Sequence, residues 1–167
     1  MQDCYFKNIG SGAVIMLGDT IPADAENTAE VCSGFLVTNN YIEDFGQRTY
    51  ESVAVHLEYA KDSEISNNTI RDGHYTGISV GWMWSHDYQV TENIAVKDNL
   101  IYNIGLGWLG DIGGIYTLGE QKGTVLSGNV IYNVVCGKGQ TSYGGNGIYC
   151  DAGSSFYTIE NNLVYDC

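Results

Sequence analysis

An Asn-centred motif recurs along the whole chain at a nearly constant interval, and it limits the fold more than any other feature. Residues 37–42, 65–70, 96–101, 126–131 and 159–164 share the form apolar-x-(Asn/Asp/Gly)-Asn-x-apolar. The second Asn falls at Asn40, Asn68, Asn99, Asn129 and Asn162, at spacings of 28, 31, 30 and 33 residues. A weaker copy, residues 2–6, opens the chain. Each repeat also carries a second short apolar run, at residues 13–16, 53–57, 77–80, 114–117 and 147–150. Short apolar runs bounded by Asn, Asp and Gly have the chemistry of strands and turns. With 22 Gly and 13 Tyr the composition tells against long helices, because Gly weakens a helix and aromatic residues favour a pleated surface.

A unit of about 30 residues cannot bury its apolar face alone, whereas stacked copies can. The repeat therefore predicts an all-β chain: a single-stranded right-handed parallel β-helix of about five to six coils, lacking caps. Each strand would bond to its equivalents above and below at about 4.8 Å. A propeller is the competing architecture, but its blades need about 40–45 residues. The ladder Asn is expected both to adopt the left-handed conformation at a sharp bend and to bond along the stack through its amide.

Residues 1–167 read as one partial β-helix domain, truncated at both ends, since neither end shows a capping helix or a polar terminal repeat. Uncapped ends predict self-association. Residues 19–30 hold the only Pro and four carboxylates and read as a loop excursion. Residues 137–146 form a second excursion, of the kind that builds a cleft wall on a solenoid. No cofactor is expected, and His56, His74 and His86 fit no metal-ligand spacing. The acidic loop leaves Ca2+ as the alternative.

A net charge of −13 with only seven Lys and Arg argues against a nucleic-acid partner. No apolar run approaches the length of a membrane-spanning helix, so no membrane partner is expected. Cys4, Cys32, Cys136, Cys150 and Cys167 contain no C-x-x-C pair, and reduced, buried core cysteines are the expectation.

Chemistry should sit where the repeat is interrupted. Residues 81–87 follow a strand directly and contain Trp82 and Trp84, whose flat faces suit stacking on sugar rings. His74 and His86 flank this segment and could bond sugar hydroxyls. Tyr116, Tyr149 and Gln121 are candidates for a groove lining. His56 lies within a strand run and reads as structural.

Three strings, residues 76–84 (TGISVGWMW), 110–119 (GDIGGIYTLG) and 147–155 (GIYCDAGSS), resemble in this order the β-helix proteins of bacterial carbohydrate-degrading systems. The resemblance is closest to glycoside hydrolase family 141, of which the chain would be a central portion. It implies hydrolysis of fucosidic or xylosidic links in a poly- or oligosaccharide, with Asp111 and Asp151 as the catalytic pair. It also implies a parent protein that is secreted or periplasmic. Cys150 and Ala152 depart from the family pattern beside Asp151, which bears on specificity more than on reaction class.

A carboxyl pair is sound chemistry for glycoside hydrolysis, one acting as acid and one as nucleophile or base. Placing Gly114 on Gly147 puts Asp111 three residues before the shared position and Asp151 four after it. Only curvature of the coil would bring them together, and Glu120 is the substitute partner. Turn capping at Asp111 and a bond to the Ser154 or Ser155 backbone at Asp151 are the structural alternatives. Two other functions compete. A polysaccharide lyase would need a basic residue, yet Arg48, Arg71 and Lys97 lie outside the strings. A non-catalytic carbohydrate-binding or adhesin-like solenoid would use the fold as scaffold alone. The fragment could hold a site without being an active enzyme.

Overall fold

The computed structural model describes residues 1–19, 31–138 and 144–167. The chain winds through three parallel sheets in turn. The first contains β1 (Tyr5–Lys7), β5 (Tyr41–Glu43), β8 (Thr69–Gly73), β11 (Leu100–Ile104), β14 (Val130–Val134) and β17 (Leu163–Tyr165). The second contains β2 (Val14–Leu17), β6 (Val55–Glu58), β9 (Ile78–Val80), β12 (Ile112–Thr117) and β15 (Gly145–Cys150). The third contains β3 (Cys32–Ser33) and β4 (Leu36–Thr38) at one level, then β7 (Ala60–Ser66), β10 (Glu92–Lys97), β13 (Val125–Ser127) and β16 (Thr158–Glu160). Five three-stranded coils are thus followed by one further strand, a parallel β-helix with no helix among the described residues.

Equivalent side chains stack into columns because every strand pairs in parallel with the same strand of the next coil. In the first sheet Ile42, Ile70, Ile101 and Ile131 stack inward, and in the third Val37, Ile65, Val96 and Leu126 do the same. All eight are at most 1% exposed. Burying each contributes roughly 1.5–3 kcal/mol, so these ladders are the main source of stability. The second sheet adds Val55, Ile78 and Ile115. Just before that column runs a line of small residues, Ala54, Gly77, Gly114 and Gly147. A Cβ at Gly77, Gly114 or Gly147 would overlap Ile101, Ile131 or Val164 of the first sheet. The recurring Gly-Ile therefore lets the second sheet close onto the first.

The Asn motif forms the ladder, but its two residues divide the work. Asn39, Asn67, Asp98, Gly128 and Asn161, the residues before the ladder position, take the left-handed conformation with φ of 53°, 53°, 56°, 68° and 56°. The ladder Asn does not, so the expectation that one residue does both jobs is corrected. Its role is hydrogen bonding alone. Asn40 Nδ2 donates to Asn68 Oδ1, Asn68 to Asn99, Asn99 to Asn129 and Asn129 to Asn162, at 2.9–3.0 Å. At the weaker copy, the Cys4 backbone N–H donates to Asn40 Oδ1 at 3.1 Å, so Cys4 occupies the ladder position there.

A second bend of the same period closes the first sheet. Asn8, Asp44, Asp72, Asn103, Asn133 and Asp166 all have positive φ there. Asn133 donates to Asn103 and Asn103 to Asp72, at 2.7 and 3.1 Å. Outside this sheet Tyr102, Tyr132 and Tyr165 stack in parallel at 5.0 and 4.9 Å.

The cysteines are free, but none is fully buried, contrary to the core assignment. Cys150 continues the inward column of Leu57, Val80 and Thr117 in register. Of the two loop excursions, residues 20–30 and 139–143 lie outside the described residues, and the Ca2+ expectation lies there with them.

Candidate functional site

One groove opens on the outer face of the second sheet. Outward positions there form a column in strict register: Ile15, His56, Ser79, Tyr116 and Tyr149. Four of these five line a pocket of about 220 Å³, together with Glu51, Tyr75, Trp82 and Trp84. Tyr149 continues the column past it, its ring edge-on to Tyr116 at 5.0 Å.

Trp82 and Trp84 reach the groove because the segment after β9 folds back over the strand ends. Gly153, at φ 72°, has the Ser85 carbonyl where a Cβ would stand, and a Cβ at Gly119 would overlap Gln89 Nε2 and stand 2.9 Å from Met83. The Tyr59 hydroxyl pins the loop by donating to the Trp82 carbonyl at 3.0 Å. Trp82 then packs edge-on against His56 at 4.7 Å and against Trp84 at 5.6 Å. Trp84 remains 54% exposed, the disposition of a stacking platform.

The two aspartates flank this groove. The register is the one expected, Ile115 facing Ile148, so Asp111 precedes β12 and Asp151 follows β15. In a straight strand that offset would separate them widely, yet both act on the same two phenols. Burial raises the Tyr116 pKa first, then the hydrogen bond and charge of Asp151, then the charge of Asp111. Tyr75 is raised by burial, then by Asp111 and, more weakly, by Asp151. Asp151 meets Tyr116 through its carboxylate and Asp111 meets Tyr75 through its backbone carbonyl, although neither aspartate lines the pocket itself.

Their local bonds differ. The Tyr116 hydroxyl donates to Asp151 Oδ2, while the Ser154 backbone N–H donates to the Asp151 carbonyl rather than to its carboxylate. Asp111 sits at φ 60°, and its carbonyl accepts from the Tyr75 hydroxyl at 2.9 Å. Its Oδ1 is buried without a hydrogen-bond partner.

Other candidates fall elsewhere. Gln121 is fully buried, and its amide donates to the Val80 and Leu118 carbonyls at 2.9 and 3.2 Å; it braces the turn and is removed from the groove lining. Glu120 borders a separate depression with Tyr88 and Glu92, its carboxylate 3.9 Å from Lys122. Glu120 is therefore not among the residues lining the groove. His74 stacks on Tyr50 at 4.6 Å with Trp108 edge-on at 6.1 Å, in its own aromatic cluster. His86 is exposed on the loop and is not among the groove residues.

The groove histidine is instead His56, which strand position alone made look structural. Burial pushes its pKa down to about 4, so the ring is neutral at neutral pH. Its Nε2 lies 3.3 Å from Glu58 Oε1 but is not aligned to bond with it. Placing the second apolar runs on one another would have revealed His56, Ser79 and Tyr116 as one outward column.

These features define a solenoid with an aromatic-walled groove, and comparison with known proteins places it. The family described as right handed beta helix region matches residues 1–164, and the chain belongs to that family. A solved structure titled "Glycoside hydrolase" superimposes with a TM-score of 0.76 at 23% sequence identity, over 98% of this chain. The chain spans 31% of the length of that structure, and the likeness is one of fold. No curated protein matches.

Proposed function

We propose that the chain is the carbohydrate-binding segment of a glycoside hydrolase acting on fucosidic or xylosidic links, with Asp151 and Asp111 as its carboxylate pair. The observation that carries this reading is the Tyr116 hydrogen bond to the Asp151 carboxylate, with Tyr75 bonded to the Asp111 carbonyl, beside a groove walled by Trp82 and Trp84. Trp rings supply the apolar faces on which pyranoses stack. Asp151 takes the Tyr116 hydrogen bond on one oxygen, which leaves the other for the sugar, and the pair divides the roles of acid and of nucleophile or base. The likeness to a glycoside hydrolase solenoid and the resemblance to family 141 agree with this class. Such a parent protein would work outside the cytoplasm, where polysaccharide is met.

A second reading, a carbohydrate-binding solenoid without catalysis, is favoured by one fact: neither aspartate is among the residues lining the pocket. A lyase has less support, because no Lys or Arg is among those described lining residues. Assays with 4-nitrophenyl α-L-fucoside and β-D-xyloside separate the readings. The hydrolase predicts release of nitrophenol that falls at least about a thousandfold in Asp111→Asn and in Asp151→Asn. Turnover unaltered in both variants refutes the carboxylate assignment, and binding without turnover supports the non-catalytic solenoid.

A further inference from the structure

Two buried polar atoms on the groove wall have no hydrogen-bond partner: His56 Nε2 and Ser79 Oγ. Ser79 is 1% exposed, and the His56 side chain 14%. The two residues are partners on adjacent coils, so their backbones stand about 4.8 Å apart. An unsatisfied buried polar group costs about 1–3 kcal/mol, and folded chains keep few of them. Both residues line the pocket and are partners in register, with Trp82 packed against the imidazole and Glu58 Oε1 3.3 Å from its Nε2. That is the arrangement of a site whose missing partners belong to a ligand.

We propose that His56 and Ser79 form a hydroxyl-binding dyad that recognises two adjacent hydroxyls of a neutral sugar, rather than a uronic acid. This rests on the carbohydrate reading of the groove and specifies its substrate class. The strand spacing lets one vicinal pair of hydroxyls reach both atoms with hydrogen bonds of about 2.8 Å. A serine hydroxyl donates or accepts as the ligand requires, and a neutral imidazole bonds a hydroxyl without demanding a counter-charge. Discrimination against acidic sugars follows from the lining, where Glu51 is the one carboxylate and no described residue is cationic. Glu58 stands beside the dyad and adds to the repulsion.

Titration calorimetry of the chain with methyl β-D-xylopyranoside, its monodeoxy analogues and methyl β-D-glucuronide tests the dyad. The xyloside should bind, and the glucuronide at least about tenfold more weakly. Ser79→Ala and His56→Phe should each weaken xyloside binding by about tenfold or more. Removing one of two adjacent hydroxyls should weaken binding to the native chain but add nothing in the matching variant. The Ser79→Ala change is small enough to leave the fold intact if His56→Phe does not. If Trp84→Ala abolishes binding while Ser79→Ala and His56→Phe bind as the native chain does, the groove reading stands and the dyad is refuted. If no neutral glycoside binds the native chain, the groove reading fails and takes the dyad with it.

Discussion

Replacing Asn99 by Ala tests whether the ladder amides hold the coils together. Asn99 Oδ1 accepts from the Asn68 backbone N–H at 3.0 Å and from Asn68 Nδ2 at 2.9 Å. Its own Nδ2 donates to the Ile65 carbonyl at 2.9 Å and to Asn129 Oδ1 at 3.0 Å. The substitution removes all four bonds at a site that is 1% exposed. Two partners keep other bonds: Asn68 Nδ2 with the Val37 carbonyl, and Asn129 Oδ1 with the Asn99 backbone N–H. The Asn68 N–H loses its side-chain acceptor. At about 1 kcal/mol per lost bond, and up to about 3 for a group left buried and unpaired, the total is about 3–6 kcal/mol. That is a large share of the roughly 5–15 kcal/mol typical of a domain.

The neighbouring substitution Asp98→Gly is the control. Asp98 is exposed at φ 56°, and the next coil already carries Gly128 at the equivalent position. Glycine relieves the left-handed strain but widens the unfolded ensemble, so the net change should stay within about 1 kcal/mol. Urea unfolding followed by far-ultraviolet circular dichroism measures both. A loss below about 1 kcal/mol for Asn99→Ala, or equal losses for the two variants, would refute the division of labour between the paired residues.

Further outcomes follow from the groove. The folded pKa of His56, about 4, lies below the unfolded value of 6.5, so the unfolded chain binds more protons between these limits. Stability should therefore fall as pH drops from about 6.5 to 4, by about 3 kcal/mol, and His56→Phe should flatten that slope in urea unfolding at graded pH. The raised pKa of Glu58 acts in the opposite sense, and because Glu58 touches His56 the comparison is made in a Glu58→Gln background. Gly153→Ala places a Cβ on the Ser85 carbonyl at a position with φ 72°, and should cost about 1–3 kcal/mol. It should also shift Trp emission by displacing the segment that carries Trp82 and Trp84. Emission and stability both unchanged would show that this segment is not held by Gly153.

The solenoid was legible because its cause is periodic. The Asn spacing fixes the coil length, and the Gly-Ile of residues 77–78, 114–115 and 147–148 fixes the register. Part of the three strings that suggest a carbohydrate enzyme is thus folding information, since Gly77, Gly114 and Gly147 make room for the facing ladder. The site was less legible. Which strand residues face outward depends on where each bend falls, and the second bend, at Asp44, Asp72 and Asn103, was masked by its mixture of Asn and Asp. His56 was therefore assigned to structure and Gln121 to the groove, when their positions are the reverse. The fold-back that carries Trp84 depends on Gly119 and Gly153, more than 30 residues away, a contact that local pattern does not encode.

The central claim is that the groove on the second sheet takes sugar, and the two Trp in it report on that directly. Titrating the chain with neutral xylo- and fuco-oligosaccharides while following Trp emission should give saturable quenching. The response should be lost in Trp84→Ala and kept in Trp108→Ala, whose ring lies with Tyr50 and His74 outside the pocket. No response to any neutral sugar, or an equal response in the Trp84 variant, would contradict it.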